Sequence, residues 1–185
     1  MKEFENKVAL VTGGSSGIGR ATAIAFAREG ANVVVAARRV KEGSETIRLI
    51  REAGSDGIFI KTDVTVEEEV RALIEKTIDT YSRLDCAFNN AGVAMGGSLT
   101  ETTVDIYEKV FDVNVKGVLL CLKYEIQEML KNGGGSIVNN SSIAGLTGIE
   151  QISVYVASKH AVLGLTKAAA LEMAKSNNQP ICGKQ

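Results

Sequence analysis

The sequence predicts an α/β protein: an open, doubly wound parallel sheet with helices on both faces, three layers in the order αβα. Three observations predict it. Apolar runs of strand length alternate along the whole chain with longer stretches whose apolar residues recur at helical spacing. The runs are apolar at successive positions, as strands covered on both faces must be. The first run breaks into a glycine-rich turn that leads directly into the first helical stretch. Consecutive parallel strands need right-handed crossovers, which place the helices on both faces. In such a sheet, ligand chemistry clusters just past the carboxyl ends of the strands.

The elements follow in order. Val8-Ala9-Leu10-Val11 is the first strand, stopped by Gly13-Gly14. Helical spacing runs from about Gly17 to Arg28, and Gly30 closes that helix. Val33-Val34-Val35-Ala36-Ala37 is the second strand, followed by a charged amphipathic helix from about Lys41 to Ala53. Ile58-Phe59-Ile60 is the third strand, and Val66 to about Tyr81 the helix after it. Leu84-Asp85-Cys86-Ala87-Phe88 is the fourth strand, breaking into Asn89-Asn90-Ala91-Gly92. A long helix spans Thr103 to about Lys131 and ends at Gly133-Gly134-Gly135. Ser136 to Asn140 is the fifth strand, and a last helix runs from about Ser153 to Lys175. No repeat or low-complexity linker divides these elements, and 185 residues suit one domain.

Composition narrows the function. A net charge of −1 makes no electrostatic case for a nucleic acid or an anionic membrane as partner. Cys86, Cys121 and Cys182 are scattered without metal-ligand spacing, so no metal is expected and the thiols read as free in a reducing compartment. The amino-terminal residues show no signal-peptide apolar region, and no apolar run reaches the length of a membrane span. A cytoplasmic location is expected.

The first turn reads Thr12-Gly13-Gly14-Ser15-Ser16-Gly17-Ile18-Gly19. Glycine lets the backbone turn tightly and approach a pyrophosphate, and the helix that follows offers N–H donors and the positive end of its dipole. Gly19 would let that helix pack closely on the sheet. The turn is either a dinucleotide-binding turn, with Gly13, Ser15, Ser16, Gly17, Ile18 and Gly19 as contacts, or a purely structural strand-to-helix connection. The end of the second strand separates the cofactors. An acidic residue there accepts from the ribose 2′-OH of NAD, but this chain has Ala37-Arg38-Arg39. Arg38 can fork onto a 2′-phosphate, which favours NADP and leaves NAD possible; the alternative is a solvated basic pair at a helix start. Past the third strand, Asp63-Val64 falls where adenine would lie, although Asp63 also suits the start of a capping turn.

The segment from Ser142 to Lys159 places a hydroxyl, a phenol and an ammonium close together in sequence. Tyr155 and Lys159 are four apart and share one face of a helix. A phenol exchanges a proton near neutral pH only where a neighbouring positive charge stabilises the phenolate. Taken alone, the pair reads first as an ordinary helix face, since Tyr-x-x-x-Lys occurs by chance on many helices. His160 points about a quarter-turn away from it and reads as structural.

Thr-Gly-x-x-x-Gly-x-Gly, Asn-Asn-Ala-Gly and Ser…Tyr-x-x-x-Lys, all in order, make the chain resemble the short-chain dehydrogenase/reductase family, in its ordinary single-domain branch. The similarity covers roughly residues 7–175. It implies a Rossmann fold and hydride transfer between a nicotinamide cofactor and a carbonyl or secondary alcohol. By that resemblance Tyr155 is the general acid/base, and Lys159 stabilises the phenolate and contacts the nicotinamide ribose. Ser142, thirteen positions before Tyr155, orients the substrate oxygen, and Asn114 holds a proton-relay water. Asn90, Ala91 and Gly92 belong to the motif that ties the central strands and lines the cofactor's ribose side. Ser16 departs from a second basic position seen in many NADP-dependent members. The two broadly apolar helices, 103–131 and 153–175, would form the shared interface of a homodimer or homotetramer.

The resemblance stops near residue 175. A family domain at 1–175 is then followed by a polar tail at 176–185 in which no strand is expected. The fold would lack its last one or two strands, one wall of the nicotinamide pocket would be missing, and Ser136–Asn140 would be an exposed apolar edge. A catalytically impaired fragment that binds nucleotide, or only another subunit, is the alternative function.

Overall fold

A computed structural model of the chain describes residues 2–174 and, in backbone only, residues 182–184. The strands are β1 (Val8–Thr12), β2 (Asn32–Ala37), β3 (Gly57–Lys61), β4 (Cys86–Asn89), β5 (Ser136–Asn139) and β6 (Cys182–Lys184). The helices are α1 (Gly17–Arg28), α2 (Val40–Glu52), α3 (Glu67–Tyr81), α4 (Val104–Phe111), α5 (Gly117–Lys131) and α6 (Ser153–Ala174). All pairings are parallel, in the order β3-β2-β1-β4-β5-β6. The chain first steps outward from β1 to β3, then returns past β1 to β4, so the order reverses between β1 and β4. That reversal opens a crevice at the carboxyl ends of these strands.

The period-two side-chain alternation of the strands builds two cores. Leu10, Val34, Ala87 and Ile137 face α3, α5 and α6, where Leu73, Val118, Met129 and Val162 complete the packing. Ala9, Val11, Val33 and Val35 face α1 and α2, against Ala23, Ala27, Ile47 and Ile50. Alanine on α1 lets that helix lie close to the sheet, and Gly43 on α2 makes room for the Phe59 ring, to which an added Cβ would come within 2.1 Å. The doubly wound sheet expected from the sequence is present.

Two expectations are corrected. The tail does contain a strand: β6 lies along β5, with Ser136 opposite Cys182 and Val138 opposite Lys184. The edge of β5 is therefore paired over most of its length. Cys-Gly-Lys carries no strand-like pattern, but a parallel edge offers main-chain donors and acceptors that need nothing of the partner's side chains. The long helix 103–131 is also not uniform. It runs from α4 through one π-turn, Asp112–Lys116, into α5, with Gly117 N–H donating to the Asp112 carbonyl five residues back. Asn114 sits in that turn, where π-turns often accompany functional sites.

Candidate active site

The glycine turn is clamped before any ligand arrives. Gly13 has φ +63°, and a Cβ there would stand 2.9 Å from the Ala91 Cα. A Cβ on Gly19 would stand 2.4 Å from the Gly13 carbonyl oxygen. Both glycines therefore let the turn press onto the loop after β4 and onto α1. Thr12 Oγ1 accepts from the Asn90 and Ala91 amides at 3.0 and 3.2 Å, and Asn90 Nδ2 donates to the Thr12 carbonyl at 3.2 Å. Asn140 Nδ2 donates to Asn90 Oδ1 at 3.0 Å, extending the tie to the end of β5. Arg20, which sequence reasoning passed over, donates to the Ser15 carbonyl at 2.6 Å, to the Glu42 carbonyl and to Thr46 Oγ1. It fastens the turn to α2.

Over this turn lies a cavity of about 540 Å³. Of the residues expected to contact a cofactor, Gly13, Ser15, Ser16, Ile18, Arg38, Asp63, Val64, Asn90, Ala91 and Gly92 line it, together with Arg39, Thr62, Val93 and Val113. Gly17 and Gly19 are not among its lining residues. Gly17 has φ +53° and open space where a Cβ would stand, and Gly19 is taken up by helix packing. No side chain caps the first turn of α1, so its N–H groups are free of a capping oxygen. An open helix N-terminus, two serine hydroxyls and backbone exposed by glycine form a donor set that suits a pyrophosphate. The residues present fit a dinucleotide.

The two arginines divide. Arg38 pairs with Asp63 at 3.7 Å. Arg39 reaches across to Ser15 and Ser16, its Nη2 lying 3.2 Å from Ser15 Oγ and 2.6 Å from Ser16 Oγ. Sequence reasoning favoured Arg38 because it follows the strand directly. The reach of Arg39 depends on where α2 starts, which the sequence left uncertain by a residue. Asp63 has both of its anticipated features. Its Oδ1 accepts from Thr65 N and Oγ1 at 3.0 and 2.8 Å, closing a turn ahead of α3, and it also lines the cavity. Despite partial burial, those Thr65 bonds and Arg38 hold its carboxyl below the usual range.

The segment expected from the sequence to carry the acid/base chemistry adjoins this cavity through Gly92. Lys159 is only 6% exposed, its Nζ donates to the Asn140 carbonyl at 2.7 Å, and it lies 5.6 Å from the centre of the Tyr155 ring. Burial lowers its pKa, because removing water disfavours the ammonium. Asn114 is buried and held by Val93: its Oδ1 accepts from Val93 N at 2.8 Å, and its Nδ2 donates to the Val93 carbonyl at 2.9 Å. Gly92 keeps this corner open, since a Cβ there would stand 3.3 Å from Asn114 Oδ1 and 3.9 Å from Lys159 Nζ. Tyr155, Lys159 and Asn114 thus meet at one corner of the crevice. Ser142 lies on the loop after β5. Its Oγ accepts from Ala144 N at 3.1 Å and caps the short 3₁₀ turn Ile143–Gly145, at a separate groove of about 320 Å³ lined by Phe88, Val138 and Leu146. Ser141, the neighbour passed over, donates to the Lys159 carbonyl at 3.3 Å.

The family model described as short chain dehydrogenase matches residues 7–181. The chain belongs to the short-chain dehydrogenase family. An uncharacterized oxidoreductase of Thermotoga maritima is 44% identical over 169 residues, which is 91% of this chain and 66% of that protein. The cyclohexanol dehydrogenase of an Acinetobacter species is 43% identical over 174 residues, 93% of this chain and 69% of the relative. Among solved structures, a short-chain dehydrogenase/reductase from Burkholderia phymatum in complex with NAD superimposes with a TM-score of 0.94 at 34% identity, covering 100% of this chain and 66% of the other. Levodione reductase gives 0.91 at 34% identity, over 94% of this chain and 68% of the other. The chain therefore spans about two thirds of the length of the short-chain dehydrogenases it matches. Among the described residues, no helix is long and apolar enough to cross a membrane.

Proposed function

We propose that this short-chain dehydrogenase is an NADP-preferring oxidoreductase that interconverts a small carbonyl compound and its secondary alcohol. The observation that carries the reading is the buried Lys159 ammonium beside the Tyr155 ring, at the corner of a glycine-lined crevice. When bound, the nicotinamide would supply or accept the hydride. The Tyr155 hydroxyl gives or takes the proton on the substrate oxygen. Lys159 places its ammonium 5.6 Å from the centre of the Tyr155 ring, and its low exposure keeps water from screening that charge. Ser142, whose Oγ accepts from the Ala144 amide, donates its O–H to the substrate oxygen. Asn114, held on both sides by Val93, supports a water on the proton path. A preference for the 2′-phosphate is supported by two guanidinium groups and no carboxylate at the end of β2, where Ala37 stands.

A homo-oligomer built through helices 103–131 and 153–175 is supported by exposed Val104, Tyr107, Leu119 and Leu171. A cytoplasmic site is supported by free Cys86 and Cys121. The test offers NADPH with a panel of ketones and aldehydes. Tyr155-dependent oxidation of NADPH is expected, and turnover that survives Tyr155→Phe sinks the mechanism. A second reading, a nucleotide-binding or subunit-binding piece without turnover, is favoured by the chain's matching only 66% of its relatives' length. It predicts NADPH fluorescence changes on binding with no oxidation.

A further inference from the structure

We infer that Ser158 is a positioning residue for the acid/base pair, an inference that rests on the oxidoreductase reading above. Its side chain is 0% exposed and lies in the first turns of α6, between Tyr155 and Lys159. A buried serine inside a helix commonly donates back to a carbonyl of the preceding turn, and Ser158 Oγ does so to the Tyr155 carbonyl at 2.7 Å. That bond alone would be local. The second bond is not: Asn114 Nδ2 donates to Ser158 Oγ at 3.0 Å, across 44 positions of sequence.

The direction of every proton in this chain is fixed. Val93 presents one N–H and one C=O to the Asn114 amide, so Oδ1 must face the N–H and Nδ2 the C=O. The remaining Nδ2 hydrogen then points to Ser158, whose Oγ must accept. The Ser158 hydrogen is left for the Tyr155 carbonyl. The result is a buried relay of positions from Val93, in the wall of the nucleotide cavity, through the π-turn to the backbone of the proposed proton donor.

A second, independent tether holds the same turn of α6 from the other side. Lys159 Nζ donates to the Asn140 carbonyl just past β5, and Ser141 Oγ donates to the Lys159 carbonyl. Removing the Ser158 hydroxyl breaks only the first tether and leaves an Asn114 N–H without a partner. The turn then pivots about the Asn140 attachment, and the phenol moves relative to the cavity wall while the cavity itself is untouched. Ser158 would touch neither substrate nor cofactor; it acts through Tyr155.

The experiment compares wild type with Ser158→Ala, Ser158→Thr and Ser158→Cys. Three quantities are measured: kcat and KM for the best carbonyl substrate, the NADPH dissociation constant by fluorescence, and amide hydrogen exchange. Ser158→Ala is expected to lose at least about tenfold in kcat. Its KM and NADPH affinity should stay within about twofold. Exchange should quicken in residues 153–160 and not in β1–β3. Ser158→Thr, which keeps the hydroxyl on the same Cβ, should recover most of the rate, and Ser158→Cys, nearer serine in volume, should fall between. A kcat for Ser158→Ala within about twofold of wild type overturns the inference. So does an equal loss in the Ala, Thr and Cys variants, or exchange that quickens throughout the fold. A wild-type protein that binds NADPH but reduces no carbonyl instead overturns the oxidoreductase reading, and the exchange comparison still decides whether Ser158 fixes the turn.

Discussion

Replacing Glu125 by glutamine should remove most of the pH dependence of stability between mildly acidic and neutral solution. Glu125 lies on α5 with its side chain fully buried. Asn89 Nδ2 donates to its Oε2 at 2.8 Å, but Glu125 Oε1 and Asn89 Oδ1 are both buried and, among the described residues, without a partner. Two orphaned acceptors in one buried cluster call for a hydrogen, which a protonated carboxyl carries. Burial raises the Glu125 pKa from the ordinary 4.5 to about 7, and the Asn89 bond only partly opposes this. The neighbouring buried Cys121 thiol is pushed up by the same burial and then by the Glu125 charge.

The sign follows. Between pH 4.5 and about 7 the folded chain holds a proton on Glu125 that the unfolded chain has released. Stability is thus fully present below the lower value, falls as pH rises, and levels off above the higher one. Each pH unit in that window is worth about 1.4 kcal/mol, so the total loss is about 3 kcal/mol. Glu125→Gln stays neutral throughout and presents an N–H₂ donor where the orphaned acceptors lie. It should be the more stable protein above neutrality, with a melting temperature higher by about 6 to 12 °C. Urea unfolding from about pH 5 to about pH 8.5 measures the difference in slope directly. Equal slopes for the two proteins would refute the buried-proton argument, as would a variant that is less stable at every pH.

Other substitutions test the crevice. Arg39→Ala should weaken NADPH binding by about ten- to a hundredfold, the worth of one charged hydrogen-bonded contact, and leave NADH binding nearly unchanged in the same titration. Gly19→Ala places a Cβ 2.4 Å from the Gly13 carbonyl and 2.6 Å from Asn90 Nδ2. Backbone on one side cannot yield, so nucleotide binding should be lost in an NADPH titration, and urea unfolding should show about 1–3 kcal/mol less stability. Gln151 has φ +65° just before α6, while its carbonyl accepts from Gly97 N at 2.7 Å. Gln151→Gly relieves the left-handed strain and keeps that bond, so melting should rise by the equivalent of about 1 kcal/mol.

The parts of the fold that follow from side-chain pattern were legible. Uninterrupted Val-Val-Val at 33–35 had to be a strand covered on both faces, and Gly13-Gly14 had to end the strand before it. The parts that depend on backbone opportunity were not. Cys182–Lys184 becomes a strand because β5 presents an edge, not because its residues favour one. The π-turn at Asn114 left only a weak trace, an indifferent helix former followed by Gly117, whose Cβ would stand 2.7 Å from Val64. Arg20, Arg39 and Ser158 escaped for another reason. Each acts through a distance set by tertiary packing: Arg20 across α1 and α2, Arg39 across the crevice mouth, Ser158 across α6 and the π-turn. No spacing along the chain encodes those distances, whereas Tyr155 and Lys159 share a helix and so announce themselves at four residues.

This division of labour also separates binding from chemistry. Among the described residues, the lining of the cavity comes from Gly13 to Val113: the ends of β1 to β4 with the turns after them, the start of α1, and the π-turn. The residues proposed for the chemistry come later, from Asn114 onward, and are held by Val93 and Asn140. The two sets touch through Val93, which lines the cavity and holds Asn114, and through Asn90, which lines it and accepts from Asn140. Perturbing the glycine turn should therefore raise the NADPH dissociation constant, with any effect on the α6 turn passing through Asn90 and Asn140, and perturbing α6 should slow turnover with little change in that constant. A mutation at Val93 that preserves its backbone should do neither, because both of its bonds to Asn114 are made by main-chain atoms. The coupling between the cavity wall and the proposed proton donor is thus carried by backbone geometry, and Ser158 is the side chain through which it would reach Tyr155.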